Sequence, residues 1–571
     1  FHAGDGNLHP LIAFDRRDPV QVEKVFAAGK DIIEACVAVG GTLSGEHGDG
    51  QSKAELLPRM FGPELIEAFR AFKAIWDPDG MMNPGKVVDP FPITSNLRLG
   101  PGYRPPHVET HFKFPDDEGS FARAAIRCVG VGKCRSAVPD GNVMCPSYMV
   151  TRDEKDVTRG RARLLFEMLH GGAIETGWRN DAVEDALSLC LACKGCKGDC
   201  PVNVDMATYK AEFRSHYYEG RLRPRAAYSM GLIDRWAALA STAPGLANAA
   251  AQNALIGGFA KRLAGISARR RLPLFASQTF RAWRRRHPSE VRTGRRVILF
   301  ADTFNNYFRP ETAIAATRVL EHAGWQVTLP QSQLCCGRPL YDWGMLDRAK
   351  SYLRRIMNTL HEDIAAGTPI VGLEPACVTT FRDELVNLFP DDASARQLSR
   401  QVKIFSEFLD ESVDTSRLPP IGGRALAQFH CHHHAILGEA AERRVIERLG
   451  IDCEVLQSGC CGMAGSFGFE ADKYELSMRA AERVLLPAVR ADFEMLETYR
   501  YVEEEPLTCA IVAIGGRNDP RVNIEGLALW RRQTTGPFWS TTFDGGHFYL
   551  QPQRDALLSL LNQILQGPVR H

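Results

Sequence analysis

The 571 residues contain no apolar run of about 18 residues, so no segment reads as a transmembrane helix, and no stretch reads as a signal peptide. The mildest candidate, residues 237–260, is broken by Pro244, Asn248 and Asn253. Charge of one sign is lacking as well. Lys and Arg total 69 against 68 Asp and Glu, a formal net charge of +1, which removes any global pull toward nucleic acid or acidic lipid. No nucleic-acid-binding motif accompanies the arginine-rich stretches, so nucleic acid is not an expected partner. Cysteine, in contrast, is plentiful. The 16 cysteines are clustered rather than spread as an even framework, which points to metal ligation in a reducing cytosol instead of disulfides. The chain is too long for one core and is expected to divide into about three to five domains.

The densest cluster is Cys190-Leu-Ala-Cys193-Lys-Gly-Cys196-Lys-Gly-Asp-Cys200-Pro201. It reads C-x2-C-x2-C-x3-C-P, the spacing in which three thiolates cap one cubane and the fourth serves another cluster. A structural zinc knuckle would want paired C-x2-C halves separated by a longer loop. Upstream stand Cys128, Cys134 and Cys145-Pro146. By the two-cluster rule, Cys190, Cys193, Cys196 and Cys145 make one complete [4Fe–4S] site, leaving Cys128, Cys134 and Cys200 for a second. Three thiolates leave that second site short of a ligand. Residues 123–225 are therefore expected to be a ferredoxin-type domain. Arginines in the run 158–163, which opens a helix expected over 164–170, have two readings, a device that raises a cluster's potential or a solvated basic face.

The first residues, Phe1-His2-Ala-Gly-Asp-Gly-Asn7-Leu-His9-Pro10, place two histidines seven apart around a Gly-Asp-Gly turn. Ser44-Gly-Glu46-His47-Gly-Asp-Gly50 and Met82-Asn83-Pro84-Gly85-Lys86 follow, separated by amphipathic helices expected over 20–39 and 56–76. His2, His9 and Glu46 are a plausible three-ligand set for a divalent metal with open positions. Together the three motifs resemble the C-terminal domain of FAD-linked oxidases, over residues 1–90. The resemblance implies that His2, His9 and Glu46 hold a metal and the 2-hydroxy acid, and that His47 removes the substrate proton, a task suited to a base with pKa near neutral. It also implies that Asn7, Asn83 and Lys86 lie near the flavin. The family binds FAD mainly through an upstream glycine-rich domain that this sequence does not contain. Since Phe1 falls inside a motif, the sequence reads as a fragment that binds FAD weakly or not at all on its own.

Residues 91–122 are proline-rich and aperiodic, an expected extended linker. Residues 226–294 form a basic helical connector, with two readings: a docking face for an anionic membrane or acidic redox partner, or a solvated spacer.

Residues 295–488 repeat a strand–helix–strand pattern, each half with a cysteine pair, Cys335-Cys336-Gly337 and Cys460-Cys461-Gly462. Cys377 and Cys431 are the lone partners. The histidines at 432–434 read either as ligands or as solvated residues. The repeat resembles the Cys-Cys-Gly domain of heterodisulfide reductases and related iron–sulfur subunits, which implies a cluster or zinc held by Cys335, Cys336, Cys377, Cys431, Cys460 and Cys461.

Residues 489–571 change character. A strand ending at Asp519, a helix over 524–533, a strand over 538–543 and then His547 resemble the end of an α/β-hydrolase of the type II thioesterase kind. Asp519 and His547 would be its acid and base. The G-x-S-x-G elbow is absent, so the pair alone cannot run acyl transfer. The junction near 485–497 reads as a fusion, natural or artefactual. Cys509 is expected in an apolar strand, as core.

The fold class expected is multidomain α+β and α/β. It comprises an oxidase C-terminal domain, an α-helical ferredoxin domain, paired α/β Cys-Cys-Gly modules and a partial hydrolase tail. The whole resembles a fused flavin and iron–sulfur 2-hydroxy-acid dehydrogenase of the D-lactate or glycolate type. That implies FAD, 4Fe–4S clusters, a small 2-hydroxy acid and a quinone or cytochrome acceptor. It also implies a cytoplasmic place, with the inner face of the membrane as a variant. A non-enzymatic electron-transfer subunit is the alternative, and a thioesterase a third.

Overall fold

In the computed structural model the chain forms two compact units, Phe1–Pro487 and Ala488–His571. The structure describes residues 3–15, 18–95, 99, 103–136, 143–289, 291, 293–414, 418–456, 459–482, 505–519, 524–545, 553 and 556–560. Two sites expected from sequence, His2 and His547, lie outside the described residues.

The first unit opens with the helix Pro19–Ala38. Asp18 accepts from the backbone N–H groups of Val20 and Gln21, and Pro19 holds the first helical position, where its missing N–H costs nothing. The helix Leu57–Trp76 is kinked at Gly62, whose φ of 74° precedes Pro63. Only a small core, Leu43, Ala54, Leu56 and Leu57, lies between them.

The proline-rich stretch that follows is not a free linker throughout. Phe112 and Phe114 are buried in the main core. The Glu212 carboxylate accepts from the N–H groups of His111 and Phe112, each at 2.9 Å, and Asn387 accepts from Lys113 and Phe114. Strap and core are thus joined by charge-assisted bonds that no periodicity announces.

The helices of residues 121–217 pack around that core. Met206–Tyr217 is its spine, buried almost all round. The first turn of Thr158–His170 carries Arg161, which is buried: it donates to the Ala186 carbonyl and the Ser147 hydroxyl and faces Asp156. That removes Arg161 from the solvated-face reading.

Beyond the connector, β1 (Arg295–Phe300), β2 (Trp325–Thr328), β3 (Ile370–Gly372) and β4 (Val402–Ile404) form a parallel sheet in the order β2-β1-β3-β4. Both faces are covered, which explains the unbroken Val297-Ile298-Leu299-Phe300 run. Val297 and Leu299 pack with Phe280, Leu320 and Phe408. Ile298 and Phe300 point into the core that also holds Phe112, Cys190, Tyr209 and Phe213. The ferredoxin-type region and the first cysteine-rich module therefore share one core. The second module pairs β5 (Arg424–Ala427) with β6 (Asp452–Val455), again parallel.

The second unit pairs β7 (Ile511–Gly516) with β8 (Phe538–Phe543) in parallel. Gly515 lets Leu527 close on the strand, since a Cβ there would sit 2.6 Å from the leucine. Cys509 corrects the sequence reading. It precedes β7 and is exposed, not core.

Candidate functional site

At the N-terminal end, Asn7, His9, Glu46 and His47 come together. Glu46 Oε2 lies 2.9 Å from His9 Nε2, 3.3 Å from His47 Nε2 and 3.4 Å from Asn7 Nδ2. The donor atoms of His9, Glu46 and His47 all lie within 4.8 Å of one another, so a divalent cation fits among them. Turn chemistry builds the cluster. Ser44 donates to the Gly48 carbonyl at 2.8 Å, Lys53 ties both, and Gly45 leaves room that a Cβ would lose to Asn7 Oδ1 at 2.9 Å. The Met-Asn-Pro-Gly-Lys loop is held by Asp77, which accepts from the N–H groups of Met81 and Met82, with Lys73 holding its carboxyl below the usual range. Asn83 takes a φ of 47° there, and Lys86 donates to Gln51 at 3.3 Å. The cluster is open: His47 is 77% exposed.

The second group is thiol. Cys145, Cys190, Cys193 and Cys196 line one cavity together with Thr158, Arg161 and Lys194. Cys145 Sγ accepts from the Thr158 N–H at 3.1 Å, and Cys196 Sγ accepts from the Met206 N–H at 3.4 Å. Burial pushes Cys196 up to about 12 and Cys193 well above its ordinary value. Sulfurs held this way keep their protons until a cation displaces them. Four soft donors converging on one cavity fit an iron–sulfur cluster. Cys145 also faces Cys134. Their hydrogen bond lowers Cys134 to about 6 and raises Cys145. Cys145 thus stands between the two expected ligand sets. Cys128 and Cys200 are half-buried against the same core.

In the first cysteine-rich module, Cys336 Sγ lies 2.8 Å from Cys377 Sγ, and Cys335 hydrogen-bonds Cys336. The Cys336 bond pulls Cys377 down, but burial together with the charges of Asp302, Glu374 and Cys335 outweighs it and lifts the thiol to about 12. In the second module Cys460 is bonded to both Cys431 and Cys461 and is raised well above the ordinary thiol value by its Cys431 bond. The glycine after each pair is left-handed, φ 81° at Gly337 and 78° at Gly462. A Cβ on Gly462 would meet the Ser477 carbonyl at 2.4 Å. That is why each pair is followed by glycine.

The groups adjoin. Cys193 and Leu191 pack with Cys431, Cys460 and Phe467, so the ferredoxin-type loop touches the second module. His432 Nε2 lies 3.0 Å from the Ala192 carbonyl and Nδ1 lies 3.1 Å from Thr379 Oγ1. Burial and Arg338 hold this imidazole neutral. A carbonyl can only accept, so Nε2 carries the proton and the Thr379 hydroxyl donates to Nδ1. Arg338 also donates to the Ala192 carbonyl, at 3.2 Å. Beneath the loop, Lys194 is fully buried against Asp205 at 2.9 Å, Asp383 at 2.6 Å and Glu384 at 3.1 Å. Lys197 pairs with Asp383, and Arg338 with Glu384. Lys210 donates to the Cys190 carbonyl at 2.5 Å, and burial brings it down to about 8. None of these charged residues stood out in the sequence. Lys194 and Lys197 lie inside the cysteine motif, but their partners are up to 189 residues away.

In the second unit, Asp519 is half-buried after β7.

Three family matches follow the chain in order. Residues 1–87 match "FAD linked oxidases, C-terminal domain", residues 124–204 match "4Fe-4S dicluster domain", and residues 301–382 and 431–493 match "Cysteine-rich domain". These define an iron–sulfur flavoprotein oxidoreductase architecture, whose domain set supports FAD and 4Fe–4S clusters. More particularly, the chain is homologous to the D-2-hydroxyglutarate dehydrogenase of Pantoea ananatis (strain AJ13355). It is 27% identical to that protein over 527 residues, covering 84% of this chain and 50% of the relative. The glycolate oxidase subunit GlcD of Escherichia coli (strain K12) is 50% identical over 88 residues, 15% of this chain and 18% of that protein. The chain spans about half the length of the curated D-2-hydroxyglutarate dehydrogenases it matches. Among solved structures, the type II thioesterase BorB from the borrelidin biosynthetic cluster covers 48% of this chain and 93% of its own at 20% identity. Its TM-score is 0.13, which carries no argument about the tail.

Proposed function

We propose that this chain is the substrate-facing and electron-exit part of an FAD-linked dehydrogenase that oxidises a small 2-hydroxy acid and delivers electrons to a quinone or cytochrome. The observation that carries the reading is the convergence of Cys145, Cys190, Cys193 and Cys196 on one cavity whose wall abuts Cys431 and Cys460. When bound, FAD supplies a two-electron acceptor and the clusters supply one-electron carriers.

His9 and Glu46 would hold a divalent metal, with His2 as the third ligand of the family pattern, and the metal would supply a Lewis acid for the 2-hydroxy acid. His47 accepts the hydroxyl proton. Its Nε2 lies 3.3 Å from Glu46, at the edge of the same cluster. Asn7, Asn83 and Lys86 orient the flavin side of this pocket. Cys335, Cys336 and Cys377, and likewise Cys431, Cys460 and Cys461, ligate metal in the two modules. Cys128, Cys134 and Cys200 belong to the second ferredoxin-type site. Reduced thiolates of this kind belong in the cytoplasm.

The test is anaerobic purification of the full chain. Brown protein with iron and acid-labile sulfide is the expected result, with dye reduction driven by a D-2-hydroxy acid only when a polypeptide carrying the FAD-binding domain is supplied with FAD. Colourless, iron-free protein overturns the reading. The open, exposed setting of His47 favours one variant: a cluster-bearing subunit that completes its flavin site with another polypeptide. Iron without FAD binding would select that variant. The half-buried Asp519 gives no ground for acyl transfer, because the sequence has no G-x-S-x-G serine.

A further inference from the structure

Residues 237–289 contain nine Lys and Arg and no Asp or Glu: Lys261, Arg262, Arg269, Arg270, Arg271, Arg281, Arg284, Arg285 and Arg286. In a chain whose charges balance only as a whole, this is a local excess of one sign. The helix Ala254–Leu263 lies within it, packed on the helix Pro244–Gln252. Gly257 makes that packing close, since a Cβ there would stand 2.4 Å from the Ala251 carbonyl. At 3.6 residues per turn, Leu255, Ile256, Phe259 and Leu263 fall on one stripe centred about 150° from Gly257. They are 85%, 60%, 66% and 55% exposed. The face opposite the packing is therefore apolar and uncovered, with exposed Arg262 at its margin, while half-buried Lys261 falls on the Gly257 side. The segment is anchored just downstream. Ser267 N–H donates to the Phe469 carbonyl at 2.8 Å, Arg270 donates to the Gly468 carbonyl at 2.7 Å, and Arg269 pairs with Glu475.

We infer that the helix Ala254–Leu263 docks on the surface of an anionic lipid bilayer, its leucines and phenylalanine entering the acyl boundary and its cations meeting lipid headgroups. Among the described residues no helix is long and apolar enough to cross a membrane, so the contact is peripheral. Charge decides the occupant. A second copy of this chain would bring the same cations against themselves, whereas an anionic leaflet matches a segment that carries nine cations and no carboxylate of its own, Glu475 and Glu321 of other elements pairing, among the described residues, with Arg269 and Arg284 alone. The inference rests on the electron-exit reading only for its purpose, delivery to a lipid-soluble quinone. The contact itself stands on the stripe and the charge.

The experiment is co-sedimentation of the purified, cluster-loaded full chain with phosphatidylcholine vesicles with and without phosphatidylglycerol. Binding is expected only to the anionic vesicles and is expected to fall with added salt. Leu255→Asp with Phe259→Asp is expected to weaken it at least tenfold, on the order of one 1.4 kcal/mol step. Both side chains are exposed, so absorbance and iron content should match the parent and certify folding. Arg262→Glu with Arg271→Glu is expected to reduce binding to anionic vesicles in the same assay. No binding, equal binding to neutral vesicles, or a dimer dispersed by Phe259→Asp would each overturn the inference. Iron content and dye reduction are read separately, so their failure would strike the dehydrogenase reading and leave this one to its own assay.

Discussion

His432 of the second cysteine-rich module reaches across to hydrogen-bond the carbonyl of Ala192, at 3.0 Å, between two cysteines of the ferredoxin-type loop. Ala192 itself has a φ of 52°, a left-handed conformation that a residue with a Cβ adopts only when its surroundings insist. His432→Ala leaves the Arg338 bond to Ala192 in place and leaves Thr379 the Ala376 carbonyl to bond, but removes both bonds of the imidazole and opens a cavity. The expected loss is about 1–3 kcal/mol of stability. Denaturant unfolding measures the loss. A shifted electron paramagnetic resonance spectrum with unchanged iron content distinguishes loop repositioning from cluster loss.

Cys193→Ala and Cys190→Ala should each bleach the broad absorbance around 400 nm (approximate, for cubane clusters), because each removes a ligand from the same cavity. Cys509→Ala should leave the spectrum untouched, since that thiol is exposed in the other unit.

Lys194→Met is expected to cost about 3–5 kcal/mol, because it strands Asp205, Asp383 and Glu384 without their shared cation. Burial alone would lower the Lys194 pKa, but the three carboxylates outweigh it and hold it raised. A fall in the urea midpoint checks this. A midpoint equal to the parent's would mean that Lys197 and Arg338 suffice.

His434 faces carboxylates with both nitrogens, Asp199 at 3.1 Å and Glu439 at 2.8 Å. The Asp199 hydrogen bond is the main cause that raises it to about 9. A folded-state pKa above the unfolded one gives stability that is whole below roughly pH 6.5 and is lost as pH climbs through about 9. Unfolding midpoints should therefore drop across that window, and His434→Gln should flatten the drop.

Glu46→Gln should weaken divalent-metal binding by more than tenfold, since Glu46 is the group that His9, His47 and Asn7 all face. Metal titration by calorimetry reads it directly.

Thiol spacing made the ferredoxin-type loop legible, because four cysteines on one short loop can serve little else. Period made the helix Pro310–His322 and strands β1 and β2 legible. Strands β3 and β4 were not, being three residues each, too short to show alternation. The approach of Glu46 to His9 was expected from the ligand set His2, His9 and Glu46, whereas the clustering of His47 Nε2 on the same carboxylate was not, because sequence assigned that histidine only a role by family resemblance. The ionic bed of Lys194, Asp205, Asp383 and Glu384 could not, because its members look like ordinary surface charge until folding removes the water. The histidine run was ambiguous for the same reason. His432 and His433 are buried, and only His434 keeps a charged setting.

The strand β1 turns Ile298 and Phe300 toward the same interior as Phe112, Tyr209 and Phe213. Scissors placed between residues 225 and 295 would part sequence families but tear a single hydrophobic core. Each half, expressed alone, would present the other's missing wall to solvent and should precipitate. Co-expressed halves should find each other and restore a soluble pair.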